Sequence, residues 1–279
     1  VVTTVDTVYL GNCANGRPVW FDRAAYEADL IVPINRVKLH TDFVGPIQSG
    51  LCKMLVIGLG NHKGCSAVHE EAPEVFAGAI EETARLILQK APVGFGIAIL
   101  ENAYDKTYAV EAVPAEHLVE REKELVQIAK GNMPYIMLDE ADVIVCGAIG
   151  KDISGAGFDP NILGRSSVLK QFVLHIPRYQ RLVLCDVTPA SHGNGIGVGL
   201  FDVITKKVAE QLDLESMYAN AIACNCLGDA SVPCTVDDEE TAIRVALKCC
   251  RNIDRDHPRI IRIQNTLHLG EIEVSEALL

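Results

Sequence analysis

Asn35-Arg36-Val37-Lys38-Leu39-His40-Thr41-Asp42-Phe43 opens a stretch that runs on to His69. It packs three histidines, three lysines and five glycines into 35 residues. An apolar run, Ala28-Asp29-Leu30-Ile31-Val32-Pro33-Ile34, leads into it. At its centre lies Ser49-Gly50-Leu51-Cys52-Lys53-Met54-Leu55-Val56-Ile57-Gly58-Leu59-Gly60, where Lys53 is a lone charge. Burying an ammonium is costly unless it is paired or put to chemical use. One reading is a snorkelling or salt-bridged lysine. The other is a reactive or modified one, because a desolvated lysine becomes a nucleophile.

Around this stretch the chain alternates between strand and helix patterns. Val5 to Leu10 and Arg17 to Phe21 read as strands joined at Asn15-Gly16, a hairpin signal. Arg23 to Glu27 reads as a helical turn and Leu30 to Ile34 as a buried strand. A helix is expected around Gly50 to Leu55 and another from Glu70 to Lys90, where apolar residues recur at helical spacing up to Pro92. Val93 to Leu100 reads as a buried strand of the parallel type. Pro114 opens a helix to Lys130. Further strands are expected at Ala141–Ala148, Arg181–Val187, Met217–Cys224 and Arg259–Gln264, with helices at Leu200–Leu212 and Asp237–Cys250. This order predicts an α/β fold of two domains, 1–132 and 133–279, with mostly parallel sheets flanked by helices and a cleft between them. Gly131 and Pro134 mark the boundary.

Composition narrows the function. The chain has 279 residues, 49% of them hydrophobic, and a net charge of −12. That suits a packed core and argues against non-specific nucleic-acid binding. No apolar run approaches the roughly 18 residues of a membrane span. The ten cysteines, without a secretory pattern, read as reduced thiols in a cytoplasmic protein. Their spacing fits no C-x-x-C metal site, so they read as small buried hydrophobes rather than cluster ligands.

In open α/β sheets, ligands bind beyond the carboxyl ends of the strands. Three loops qualify: Lys38–Lys53, Gly150–Asn161 and Thr188–Gly199. Their convergence on the cleft is the simplest architecture. Ser191-His192-Gly193-Asn194-Gly195-Ile196-Gly197-Val198-Gly199 lacks the third glycine of a dinucleotide fingerprint. Its amides either cradle an anion or simply pack tightly. His192 is a candidate ligand contact. Lys151 is a candidate clamp for a substrate carboxylate, or an exposed ion pair. His62-Lys63 is placed to meet a cofactor phosphate. His117 reads as solvated, while His175, His257 and His268 carry no signal of their own.

The order His40-Thr41-Asp42-Phe43-Val44-Gly45…Ser49-Gly50-x-x-Lys53…His69 resembles the nickel-dependent lactate racemase family. The likeness extends to Tyr9-Leu10-Gly11…Gly16-Arg17-Pro18-Val19. Later it includes Gly150-Lys151-Asp152, Ser191-His192-Gly193-Asn194 and Asn265-Thr266-Leu267-His268. The resemblance implies a nickel-pincer nucleotide tethered to Lys53 through a thioamide, with His69 as nickel ligand and His40 as acid/base. It implies racemisation or epimerisation of a 2-hydroxy acid by hydride transfer. The implied partners are that substrate, accessory proteins that make the cofactor, and a second copy in a homodimer; neither nucleic acid nor membrane is expected. Gly45 to Gly50 is longer than the family's Gly-x-Ser-Gly step. Family members also carry an earlier αβ region, so residues 1–132 are expected to be the C-terminal part of their N-terminal domain. Lys-x-His-Thr before a glycine also resembles iron–sulfur-associated proteins, which would make this an electron-transfer or cluster-binding module. A third reading is a non-catalytic anion-binding domain.

Overall fold

Gly16, at φ +86, closes the turn between β1 (Thr7–Asn12) and β2 (Pro18–Asp22), which pair antiparallel. Asp22 then caps α1 (Arg23–Tyr26) by accepting the Ala25 amide at 2.8 Å. The computed structural model describes residues 4–279, which divide at Met133/Pro134 into two compact units.

In the first unit the buried strand expected at Leu30 to Ile34 does not form. Ile31 makes a single bridge to Val93, while Leu30 and Ile34 are exposed. Regular pairing begins with β3 (Ile34–Arg36), just after Pro33, which has no N–H to donate. α2 (Leu51–Lys53) runs straight into a π-helical turn, Met54–Gly58, and α3 (Asn61–His69) follows. α4 (Phe76–Lys90) begins at Phe76 rather than Glu70. Of the acidic residues ahead of it, Glu71 is bonded by buried Arg17, which also reaches Glu82 within α4 at 2.8 Å. β4 (Phe95–Glu101) and β5 (Thr107–Pro114) form a hairpin that the sequence reading missed. Asn102 organises its turn by accepting the Tyr104 and Lys106 amides. The sheet order is β3-β4-β5, with β3 parallel and β5 antiparallel to β4. α5 (Leu118–Asn132) buries Leu118, Val119, Leu125, Val126 and Ala129, and, on the same face, Glu122.

The second unit holds a six-stranded sheet. Its elements are β6 (Val143–Cys146), α6 (Pro160–Leu163), β7 (Arg181–Leu184), β8 (Val203–Thr205), α7 (Lys206–Gln211), α8 (Leu214–Ala223), β9 (Cys234–Val236), α9 (Glu239–Lys248), β10 (Ile260–Ile263) and β11 (Glu273–Val274). The order is β11-β10-β6-β7-β8-β9, parallel throughout except at β11. Asp238 caps α9, whose Ala242 and Ala246 pack on Val143, Val145, Val183 and Val203. This is an α/β fold.

Two expected elements are reversed. Leu200–Leu212 is not one helix: the β-branched run Val203-Ile204-Thr205 enters the sheet, and Thr205 caps the short α7. Met217–Cys224 is not a strand but most of α8, which Asp213 starts by accepting the Glu215 and Ser216 amides.

Asp142 ties this sheet together below β6. It is 1% exposed, and it accepts the Arg259 amide at 2.8 Å and guanidinium at 2.9 Å. Asp142→Ala leaves the Arg259 amide without its acceptor and the guanidinium with Glu140 alone, and should destabilise the second unit by about 1–3 kcal/mol. A denaturant midpoint unchanged from wild type would contradict this.

Candidate functional site

The site is built in the first unit, where a bridge between Lys38 and Ser49 folds the loop back on itself. Lys38 and Ser49 exchange backbone bonds at 2.9 and 3.2 Å. Buried Gln48 clasps the loop: its Oε1 accepts the His40 amide at 2.7 Å and its Nε2 donates to the Gly45 carbonyl at 3.1 Å. The longer Gly45–Gly50 segment thus supplies its own closure. The result places His40 Nε2 2.5 Å from Lys53 Nζ, on the last residue of α2.

The His40 ring has both nitrogens engaged. The Asp42 amide donates to Nδ1 at 3.0 Å. A neutral imidazole carries one proton, so here it lies on Nε2, facing the Lys53 amine. Burial holds the His40 pKa well below its usual value, reinforced by the basic neighbours Lys53, His69 and Lys38. His40 is therefore neutral at physiological pH.

An aromatic chain links His40 to His69. His40 stacks on Phe43 with centroids 4.3 Å apart, Phe43 meets Phe76 at 4.9 Å, and Phe76 meets the His69 ring edge-on at 5.0 Å. His69 closes α3. Its Nδ1 lies 2.7 Å from the Cys65 carbonyl one turn earlier and 3.4 Å from the Cys65 thiol. A carbonyl only accepts, so Nδ1 carries a proton, and in the neutral ring Nε2 keeps a lone pair. The hydrogen bond to the thiol raises the His69 pKa and lowers that of Cys65.

His62 is exposed near the start of α3, and Lys63 lies over the Trp20 ring at 4.7 Å. In the second unit, two of the expected loops are joined. Ser191 Oγ accepts the Lys151 amide at 2.8 Å, and Thr188 bonds to Asp152. Lys151 Nζ donates to the Gly155 carbonyl at 2.6 Å. His192 is exposed in a left-handed conformation, at φ 48. The glycines beside it serve close packing. A Cβ on Gly197 would lie 2.3 Å from the Ala156 carbonyl, and one on Gly199 2.0 Å from that of Gly228. The loop leads into β8, so the helix expected to follow it as an anion cradle is absent.

None of the ten cysteines is in a disulfide. Among the described residues, no three His, Cys, Asp or Glu side chains are grouped to hold a metal ion, and no helix is long and apolar enough to cross a membrane. The sequence reading missed Gln48, Phe43, Phe76, Cys65 and Glu122. Two of these were visible in it. Cys65 and His69 stand at i and i+4 of a helix, and Glu122 interrupts an apolar stripe.

No family model and no curated protein matches the chain. Among solved structures, it is similar to the lactate racemase apoprotein from Thermoanaerobacterium thermosaccharolyticum. That match has a TM-score of 0.49 at 13% identity and covers 94% of this chain and 67% of the other. A protein from Thermotoga maritima gives a TM-score of 0.46 at 13% identity, covering 85% and 62%. The chain thus spans about two thirds of the length of either.

The His40 environment has a direct readout. In the unfolded chain its imidazole takes up a proton near pH 6.5, whereas the folded ring resists. Its contribution to stability is therefore fully present above about pH 6.5 and declines as pH falls below it. Imidazole nitrogen shifts should show His40 untitrated at pH 6, and Lys53→Met should move its titration upward. A His40 midpoint at or above about 6.5 in wild type would refute the assignment.

Proposed function

We propose that the chain is a racemase or epimerase of a 2-hydroxy acid, using a nickel-pincer nucleotide tethered through Lys53. The observation that supports this best is the His40–Lys53 contact. His40 holds Nζ at hydrogen-bond distance, and once Lys53 gives up its proton the Nε2–H can donate to the lone pair of the amine. That is the nucleophilic form a covalent tether requires.

The donor set fits such a group. With no three-ligand cluster among the described residues, a metal here depends on donors brought by a cofactor, plus one from the protein. His69 offers that one: Nε2 has its lone pair, and Cys65 fixes the tautomer through Nδ1, the outer-shell arrangement usual for histidine ligands. Bound to Lys53 and His69, the pincer would supply a hydride acceptor.

The chain's own part is to hold the amine, orient the ligand and manage a proton. Taking a substrate hydroxyl proton at Nε2 requires His40 to carry its own proton on Nδ1. That step must release the Asp42 amide. Removing Cα–H as hydride while a base takes the hydroxyl proton avoids the dianion that proton abstraction beside a carboxylate would create.

In protein purified from its own host, His69→Ala should lose most of its nickel while the organic adduct persists. Unchanged nickel and an unchanged visible spectrum would rule His69 out as ligand. During racemisation in D₂O, the product should keep its original Cα hydrogen. Deuterium entering Cα at the racemisation rate would overturn the hydride route.

A further inference from the structure

Glu122 takes part in none of these steps, yet it is the most unusual group beside them. It is 0% exposed and sits on the apolar face of α5 among Leu118, Val119, Leu125, Val126 and Ala129. Its Oε2 accepts the Cys52 amide at 2.8 Å, and the Leu51 amide and the Cys52 thiol also bond to the carboxyl group. Oε1 has no hydrogen-bond partner. A buried carboxyl left half satisfied is costly, and an apolar residue would fit the stripe.

What the carboxyl touches explains its presence. Gly50, at the N-terminal end of α2, has no side chain with which to cap the amides that follow. Glu122 bonds them from across the interface, and the next residue is Lys53. Gly50 makes room: a Cβ there would lie 2.6 Å from the carboxyl group. The Ser49-Gly50-x-x-Lys53 pattern therefore encodes a socket for an outside carboxyl as well as a lysine.

We propose that Glu122 is a positioning residue for Lys53: it anchors the first turn of the segment bearing the amine and thereby sets that amine against His40. The inference treats Lys53 as a reactive amine, as the proposed function does, but requires no metal or nucleotide.

Burial raises the Glu122 pKa to about 7. Its titratable neighbour on α2 is the Cys52 thiol, on which Glu81 and Arg85 of α4 also act. On α5, Lys123 is bonded to Glu81 and Glu120. From the sheet, Glu111 of β5 is paired with Arg121, and Glu101 of β4 with Arg36. When the contact opens to water, the carboxyl returns to about 4.5. The closed contact thus binds the proton more tightly. Opening becomes easier as pH rises from about 4.5 to about 7 and levels off above that.

The test is competitive labelling of the cofactor-free protein with trace acetic anhydride, comparing Lys53 with exposed Lys90 across that window. In wild type, the Lys53-to-Lys90 ratio should shift at least about threefold between about pH 4.5 and 7. Glu122→Gln keeps the shape and one acceptor but cannot ionise, so it should remove the shift; Glu122→Asp should restore part of it. The same profile in wild type and Glu122→Gln would overturn the proposal. Should the variants fail to fold, amide exchange in wild type decides. Protection of Cys52 and Lys53, corrected for intrinsic rates, should fall over the same window, and pH-independent protection would overturn it. Failure of the nickel assignment leaves these outcomes unchanged, and their failure leaves the tether open.

Discussion

A single amine on an apolar segment constrains the whole first unit. Lys53 sits between Leu51 and Cys52, both 0% exposed, and Leu55, also 0% exposed. Such a segment can carry a lysine only if its nitrogen meets polar groups without pulling the helix out of the core. The fold answers with the 38–49 loop, whose backbone bridge and Gln48 clasp bring His40 to the amine. The π-helical turn that follows Lys53 belongs to the same solution. Such bulges often lie at functional positions, and this one shifts the register of the residues leading to α3 and His69.

The histidines at the two ends differ in state for reasons found in their surroundings. His40 is enclosed, so desolvation keeps it neutral; His69 is on the surface end of α3, where the Cys65 thiol favours its charged form. Phe43 and Phe76 connect the two rings and fix both planes. The arrangement combines a held amine with a ring whose Nε2 offers a lone pair in its neutral form.

Much of this was legible in the sequence, and the failures are physical. Lys53 stood out as the lone charge in an apolar, glycine-rich run, whereas His40 and His69 were singled out only by the resemblance of their order to the racemase family. α4 was readable from helical periodicity, α5 from the Pro114 that opens it, β4 as an apolar run of the buried type, and α9, β6, β7 and β10 from the alternation of strand and helix patterns. The β5 strand was missed because Thr107 to Pro114 faces solvent on alternate residues and takes its conformation from pairing with β4. Met217 to Cys224 was misread because an apolar run does not declare its period; the Asp213 cap decides it. The glycines of 193–199 suggested an anion cradle, but their spacing could not reveal that Ala156 and Gly228 carbonyls press against them. Gln48 carried no signal, since its role exists only once the loop has closed.

The account turns on the chemical state of one side chain in the protein as its own host makes it. Peptide mapping by mass spectrometry of that material, with Lys53→Ala as the control, addresses it most directly. The account predicts added mass on the peptide containing Lys53, absent from the variant. An unmodified Lys53 in protein that nevertheless racemises a 2-hydroxy acid, or an adduct that survives Lys53→Ala, would contradict it.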